Sequence, residues 1–433
     1  MKKVHFIGIG GIGMSALAQL LADRGIAVTG SDRSASPVTD LLEKKGITVA
    51  IGQKAENVSD DASVVIYSDA VVEGSEGFVE RLRARELGIE EQSYFKALGE
   101  ISKGKRTIAV SGTHGKTTTT GMLAKILADA GASPTAVIGS LVRDFGSNYL
   151  HGDSDLFVVE ACEYRDHLLE LSPEILVITN LEWDHTDWFP SLRALQETFR
   201  KAIAKVPAHG AIVTDPGNPN IAPLLRQGYA GHARIVDYTK EPAYELRLPG
   251  AFNEMNARAA ASAARAAFPG VTDDAIRASL ASFQGTWRRF EYKGKTARGA
   301  EVYDDYAHHP TAIRETLRAL RAKLREVSPR GKAFVAFHPH LFSRTKDLFE
   351  EFAHAFGDAD EVLIAPIYAA REIDDGSVSS EKLAARAREL GTNARAASFD
   401  EIENHLRTVP AAGDAIMTMG AGDIYKVADK LIV

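Results

Sequence analysis

One stretch constrains this chain more than any other: Arg106-Thr-Ile-Ala-Val-Ser-Gly-Thr-His-Gly-Lys-Thr-Thr-Thr-Thr120. Ile108, Ala109 and Val110 form a short apolar run of β type. It feeds a turn containing Gly112 and Gly115, followed by Lys116 and Thr117. Met122, Leu123, Ile126 and Leu127 then recur at helical spacing, and Gly131 closes the pattern. A strand, a glycine loop and a helix in that order aim backbone N–H groups at an anion, and the helix dipole favours negative charge there. A lysine in such a loop reaches terminal phosphates, and a threonine hydroxyl ligates magnesium. The usual G-x-x-x-x-G-K-[ST] spacing would need glycine at Val110, so this loop is shorter than usual. The plain alternative is a Gly-rich turn with a solvated lysine. The flanking strand and helix favour nucleoside triphosphate binding instead.

A chain of 433 residues exceeds one ordinary domain, and its length predicts about three. Its 45% hydrophobic and 25% charged residues are those of a soluble globular protein. Charges of both signs are interspersed at a formal net of −7, with no basic block, which argues against a nucleic-acid partner. The single cysteine, Cys162, excludes an intramolecular disulfide and fits a reducing, cytoplasmic location. Met-Lys-Lys at the start resembles a signal peptide, but the following residues alternate and carry glycines. No apolar run is long enough to span a bilayer, so no membrane partner is expected.

The first hundred residues carry a second phosphate signature. Val4-His-Phe-Ile is a strand running into Gly8, Gly10, Gly11 and Gly13. A helix follows (Met14, Leu17, Leu20, Leu21), and a second strand from Ile26 ends at Gly30-Ser-Asp32. This is the βαβ dinucleotide fingerprint, with an acidic residue where a ribose hydroxyl is expected. The glycines do not distinguish NAD, FAD and UDP-sugars, which all present a pyrophosphate. A further strand, Ser63–Ser68, continues the alternation. Polar residues Glu90 to Ser93 and then Ser102 to Lys105 separate this unit from the phosphate loop.

In the second unit, Leu156–Glu160 and Ile175–Asn180 are apolar runs ending in polar groups. Ligands of open parallel sheets sit at the carboxyl ends of strands, so Glu160 and the segment Asn180–Asp187 should lie near the phosphate loop. Glu160 there has one obvious use, ligating Mg²⁺ on the phosphates. Cys162 reads as a small packed side chain. His185 sits among Glu182, Asp184 and Asp187, where a metal ion or phosphate could meet it, and a solvated acidic loop is nearly as good a reading. Lys293–Gly299 reads as a linker.

The third unit begins with Glu301–Tyr306 and has further strands at Ala333–Phe337, Glu361–Ala365 and Ala415–Met419. His308 and His309 precede Pro310 at the start of a helix, where one of them could cap or pack. The arginines Arg288 and Arg289 could clamp phosphate. His340 and Arg344 follow a buried strand. The expected architecture is α/β with three domains: a Rossmann-like domain over 1–100, a central P-loop ATPase-like domain with a mostly parallel sheet over 101–296, and a Rossmann-like α/β domain over 297–433.

Several strings, in this order, resemble the Mur ligases, the ATP-dependent amide-forming enzymes of peptidoglycan synthesis. They are His5–Ser15, Ser111–Thr119, Thr179-Asn with Asp184-His185, Pro249-Gly with Asn253 and Asn256, Arg288-Arg-Phe290, Asp304–Pro310, and Phe337–Thr345. The resemblance implies that Gly8, Gly10, Gly11, Gly13 and Asp32 bind a UDP-sugar. It implies that Gly112, Thr113, His114, Gly115, Lys116, Thr117 and Thr118 surround the ATP phosphates. Thr117 and Glu160 would hold one Mg²⁺ and His185 a second. Asn253 and Asn256 would hold adenine, with Arg289 and Asp305 on the rest of ATP. Tyr306, His308 and Arg344 would line the incoming amino acid. The implied chemistry is phosphorylation of the UDP-N-acetylmuramate carboxylate, then attack by the amine of an amino acid, L-alanine. Catalysis would fall to Lys116, His185, His308 and Arg344, in a monomer or dimer.

The chain departs from the family pattern at four places. Phe252 replaces the usual His before the adenine-side asparagine, and Cys162 replaces the usual Asp. Leu341 stands where an Arg beside the amino-acid carboxylate is usual, and Glu90–Leu98 lacks the usual arginine-bearing string. Three other readings remain open at this level. A ligase could join a recycled tripeptide to the same sugar. An NAD(P)-dependent oxidoreductase could use Gly8–Gly13, which leaves Lys116, Thr117 and Glu160 without a task. A non-catalytic ATP-binding switch is the third.

Overall fold

The computed structural model describes residues 2–226, 233–370 and 372–433. The chain packs as two units: Met1–Leu181, Gln196–Tyr244 and Asn256–Phe283 form one, and Glu182–Leu195, Glu245–Met255 and Gln284–Val433 the other. The first unit holds two sheets and the second holds one.

The first sheet is built from β1 (Lys3–Ile7), β2 (Ala27–Asp32), β3 (Thr48–Ile51), β4 (Val64–Tyr67) and β5 (Glu90–Ser93), all parallel, in the order β3-β2-β1-β4-β5. Chain direction across the sheet reverses between β1 and β4, so the carboxyl end of β1 opens on a crevice. The Gly8–Gly13 turn lies there. The polar run Glu90–Ser93 is a strand and not a separator. It is an edge strand bonded only to β4, and an edge can stay polar because one side needs no core.

Behind this sheet Glu80 is fully buried and still well satisfied. Its carboxylate accepts from Ser31 Oγ (2.7 Å), Asn57 Nδ2 (2.7 Å) and the Lys54 amide (3.0 Å), and it lies 3.1 Å from His5 Nε2. The other ring nitrogen of His5 meets Thr29 Oγ1 at 2.9 Å. Four polar groups from three segments therefore converge on one carboxylate, a network whose members are costly to orphan.

The central sheet has seven strands: β6 (Arg106–Ser111), β7 (Thr135–Val142), β8 (Ser147–Leu150), β9 (Leu156–Glu160), β10 (Ile175–Ile178), β11 (Ala211–Thr214) and β12 (Arg234–Asp237), ordered β12-β11-β10-β6-β9-β7-β8. All pairs are parallel except β7 with β8. β6 lies mid-sheet and is buried from Thr107 to Ser111. That is why Ile108, Ala109 and Val110 read as a continuous apolar run. The two sheets of this unit are tied by polar groups: Gln19 Nε2 donates to Asn148 Oδ1 (2.9 Å), and Asn148 Nδ2 donates to Ser15 Oγ (2.8 Å).

The second unit holds β13 (Glu291–Lys295), β14 (Glu301–Asp305), β15 (Ala333–Phe337), β16 (Glu361–Ile364), β17 (Ala394–Ala396) and β18 (Ala415–Met419), ordered β13-β14-β18-β15-β16-β17. Only β13 is antiparallel. It takes up the front of the segment that reads as a linker, again as a polar edge strand. One face of the sheet packs Ile313, Leu317, Phe337, Phe352 and Phe356 into a core, against which Trp183 and Phe252 also lie. Among the described residues no helix is long and apolar enough to cross a membrane.

Glu80→Ala removes the shared partner of buried His5 and Ser31 and of half-buried Asn57, so the full chain should lose about 3 kcal/mol. A clear drop in its thermal midpoint is expected, and an unchanged midpoint would show that the network carries no stability.

Candidate active site

The phosphate loop leaves β6 at Ser111 and enters the helix Lys116–Asp129. Two features of its backbone require glycine. Gly112 (φ +126°) passes directly beneath Thr179 and Asn180, and Gly115 (φ +80°) lies against the Asn256 side-chain oxygen, with no space for a methyl at either. The end of β10 holds the loop in shape. Asn180 Oδ1 accepts from the His114 amide (2.9 Å), Asn180 Nδ2 donates to the His114 carbonyl (3.0 Å), and Thr179 Oγ1 donates to the same carbonyl (2.6 Å). The Thr113 amide donates to the Asn180 carbonyl at 3.2 Å. Thr117 and Thr118 lie buried in the first turn of the helix.

Lys116 Nζ bends back over the loop, 2.5 Å from the Gly112 carbonyl and 3.0 Å from Glu163 Oε1. Burial on its own would favour the neutral amine. The Glu163 charge outweighs it, and the lysine pKa is raised. Thr117 Oγ1 donates to Glu160 Oε1 at 3.0 Å, while Glu160 Oε2 accepts from the Gly139 amide at 2.8 Å. A hydroxyl and a carboxylate oxygen side by side are hard donors of the kind Mg²⁺ takes. Cys162 is pushed up to about 12 by burial foremost and then by Glu163, which leaves it an inert thiol.

On the first sheet, Gly8 (φ +82°) and Ile9 both donate to the Ser31 carbonyl, and Gly11 donates to the Gly8 carbonyl. Asp32 Oδ2 accepts from the Gly10 amide at 2.8 Å, so the acidic residue braces the glycine turn. Gly13 faces the Tyr94 phenol so closely that any side chain there would collide with it.

The second unit gathers the other candidates. His309 caps the helix Pro310–Val327, its Nδ1 accepting from the Thr311 amide at 3.3 Å. Asp305 is buried and accepts from the Phe290 and Ala307 amides, both at 2.7 Å. Arg289 lies over the Tyr306 ring, 4.9 Å from its centroid. Arg288 is not a phosphate clamp. It is buried, paired with Asp304 at 2.8 Å, and bonded to the Gly420 and Gly422 carbonyls. Asn253 donates to the Pro249 carbonyl at 2.7 Å. Arg344 is buried against Asp184, Nε to Oδ1 at 2.8 Å, with His308 and His340 beside them. His185 adopts φ +52°, and its amide donates to Asp184 Oδ1 at 2.6 Å.

Three family models match the chain: the Mur ligase family catalytic domain over residues 3–106, the Mur ligase middle domain over 110–244, and the Mur ligase glutamate ligase domain over 288–422. A UDP-N-acetylmuramate–L-alanine ligase from Clostridium kluyveri is 38% identical over 455 residues, covering 99% of this chain and 97% of that protein. The chain belongs to the Mur ligase family. It is a ligase. An enzyme of the same name from Clostridium botulinum strain Langeland is 37% identical over 460 residues, covering 100% and 97% of the two chains. Among solved structures, the UDP-N-acetylmuramate–alanine ligase MurC of Thermotoga maritima matches with TM-score 0.77 and 28% identity, covering 99% of this chain and 98% of that one. The murein peptide ligase of Psychrobacter arcticus matches with TM-score 0.75 and 25% identity, covering 100% and 98%.

Within this Mur ligase, Lys116, Thr117 and Glu160 come together at one strand end, and Asn256 joins them through Gly115 and through Thr119 (3.3 Å). His185, Asn253, Arg289, Asp305, His308 and Arg344 belong to the other unit. Sequence reasoning missed Glu163, although its spacing of three from Glu160 was visible. It also missed Tyr94 at Gly13 and the Asp184–Arg344 pair, which no local pattern marks.

Gly115→Ala forces a side chain into a left-handed backbone against Asn256, a strain of roughly 1–3 kcal/mol. ATP binding measured by calorimetry should weaken by about 10-fold or more. Unaltered affinity would show that the loop does not need this conformation to hold the nucleotide.

Proposed function

We propose that this ligase joins L-alanine to the lactyl carboxylate of UDP-N-acetylmuramate, using ATP, as a step of peptidoglycan synthesis in the cytoplasm. The observation that carries the reading is the arrangement of Lys116, Thr117 and Glu160 at the end of β6 and β9. The choice of acceptor is supported by full-length relatives at 37–38% identity that bear the L-alanine name.

A carboxylate is a poor acyl donor because its leaving group would be oxide. In the proposed reaction a carboxylate oxygen attacks the γ-phosphorus and the bond to ADP breaks. The amine then attacks the resulting acyl phosphate, a C–N bond forms, and phosphate departs with the electrons of the C–O bond. Negative charge grows on the transferring group, and catalysis is chiefly its neutralisation and alignment. Lys116 supplies a fixed positive charge, and Glu163 keeps it protonated. Thr117 and Glu160 are the residues that would hold Mg²⁺, with His185 on a second ion, and bound metal would add positive charge at the phosphates. Gly8, Gly10, Gly11 and Gly13 would face the UDP-sugar pyrophosphate, with Asp32 bracing them. By the family resemblance Asn253 and Asn256 would hold adenine, Arg289 and Asp305 the rest of ATP, and Tyr306, His308 and Arg344 the incoming amino acid.

The likeness to a murein peptide ligase and the apolar Leu341 favour a second reading, in which a ready-made peptide is the acceptor. An ADP-release assay with UDP-N-acetylmuramate and a panel of amino acids and peptides separates the two. L-alanine should give the highest kcat/KM, and a tripeptide in its place would overturn the acceptor assignment. Lys116→Ala should abolish phosphate release while UDP-sugar binding survives, because the loops at Gly8–Gly13 and Gly112–Thr118 are built by different sheets. Equal loss of both would refute that division of labour.

A further inference from the structure

Tyr94 is the first residue of the helix Tyr94–Ser102, at the carboxyl end of β5. β5 is parallel to β4 and β4 to β1, so this end opens on the same crevice as the Gly8–Gly13 turn. The phenol reaches across to the helix Ile12–Asp23. A methyl on Gly13 would lie 2.7 Å from the Tyr94 hydroxyl and 2.6 Å from its ring carbon Cζ. A Cα–Cβ bond in a helix tilts toward the N-terminus, so a group in that direction stands at the mouth of the helix. Gly11 caps this helix without a side-chain hydrogen bond, and the ladder starts with the Ser15 amide donating to the Gly11 carbonyl. The amides of residues 12–14 therefore come before the ladder, beside the phenol.

The ring is held by its neighbours. Tyr94 meets Phe95 edge-on with centroids 4.7 Å apart, Phe95 stacks on His167 at 3.6 Å, and His167 Nε2 pairs with Asp69 Oδ2 at 2.6 Å. Asp69 lies just beyond β4, so the row is anchored on the same sheet. The hydroxyl itself is not used by the fold. Among the described residues it has no hydrogen-bond partner, and it keeps some exposure to solvent. A half-buried phenol fixed by rings, with its O–H uncommitted, is a donor available to a ligand. Burial foremost, then Glu160 and Cys162, push its pKa up, so the phenol keeps its proton and donates.

We propose that the Tyr94 hydroxyl donates to the pyrophosphate of the UDP-sugar, beside the amides of residues 12–14, and so positions the sugar nucleotide. The inference rests on the UDP-sugar reading above and deepens it, adding a side-chain donor to a turn otherwise built of backbone. Tyr94 lies in the string Glu90–Leu98, which departs from the family pattern, so the contact belongs to this chain's own sequence and not to the shared glycine motif.

The test titrates full-length wild type and Tyr94→Phe with UDP and with UDP-N-acetylmuramate by calorimetry. Phenylalanine keeps the ring against Gly13 and removes only the oxygen. Both dissociation constants should rise by the same factor, about 10-fold or more, as for the loss of one hydrogen bond to a charged group. The KM values for ATP and L-alanine should stay within twofold. The thermal midpoint without ligand should not fall, because the hydroxyl has no protein partner to lose. Unchanged affinity for UDP would overturn the assignment, and so would weakening of UDP-N-acetylmuramate alone, which would place the hydroxyl on the sugar. A raised KM for ATP would give it to the other phosphate site, and a lower midpoint would give it to the fold; either refutes the proposal. If the wild type binds neither UDP nor UDP-N-acetylmuramate, the sugar-site reading itself falls and the proposal with it.

Discussion

A helix that begins where a buried parallel strand ends leaves its first backbone N–H groups without partners. In this chain that constraint appears twice within one unit, after β1 and after β6, and the surrounding structure serves to keep both turns open to an anion. Bulk is excluded from the turns by glycine, and their shape is set by side chains from neighbouring strands. Asp32 holds the Gly10 amide, and Asn180 holds His114 from both sides. The two braces differ in kind. A carboxylate beside the first turn adds negative charge, whereas an amide beside the second adds none. The second turn is the one that carries Lys116, and its charge is balanced by Glu163 from the segment after β9. Dipole, lysine and hydroxyl therefore act in one place, at the end of a mid-sheet strand that the core cannot let move.

The same economy governs the buried charges. Lys116 with Glu163, Arg288 with Asp304, and Arg344 with Asp184 are each taken from water as pairs. A lone buried ion would cost several kcal/mol, and a pair in good geometry offsets most of that. What separates them is what remains over. Arg288 spends its guanidinium on Asp304 and two carbonyls of the Gly420–Gly422 turn, so it is structural. Lys116 bonds to its own loop and to Glu163, groups that a phosphate can replace. Arg344 gives one edge to Asp184 and Nη1 to His340.

Much of this was legible in the sequence, and what was not has a physical reason. Strand β6 and its helix were visible because burial on both faces writes an apolar run and the helix writes a 3.6-residue period. β5 and β13 were read as a separator and a linker because edge strands need no apolar pattern. Lys116, Thr117 and the Gly8–Gly13 turn were visible because their chemistry is local, with spacing fixed by a single turn. The Asp184–Arg344 pair spans 160 residues, and nothing in either segment names the other. Arg288 shows the opposite error, since a pair of arginines looks alike whether it faces solvent or lies under Tyr306 and Tyr425. Charge is written in the sequence, whereas burial has to be found by folding it.

Leu341 shows how such a tertiary choice bears on specificity. It is buried, yet its backbone sits at φ +72° and ψ 135°, a region that favours glycine. The strain is held from both sides: its amide donates to the Tyr368 carbonyl, and its carbonyl accepts from Thr345 Oγ1 at 2.7 Å. The backbone at this point is therefore held by hydrogen bonds of its own. A buried leucine there brings no cation beside Arg344, where the family pattern has an arginine. Recognition of an acceptor carboxylate in the proposed reaction then leans on Arg344, whose orientation is set by Asp184.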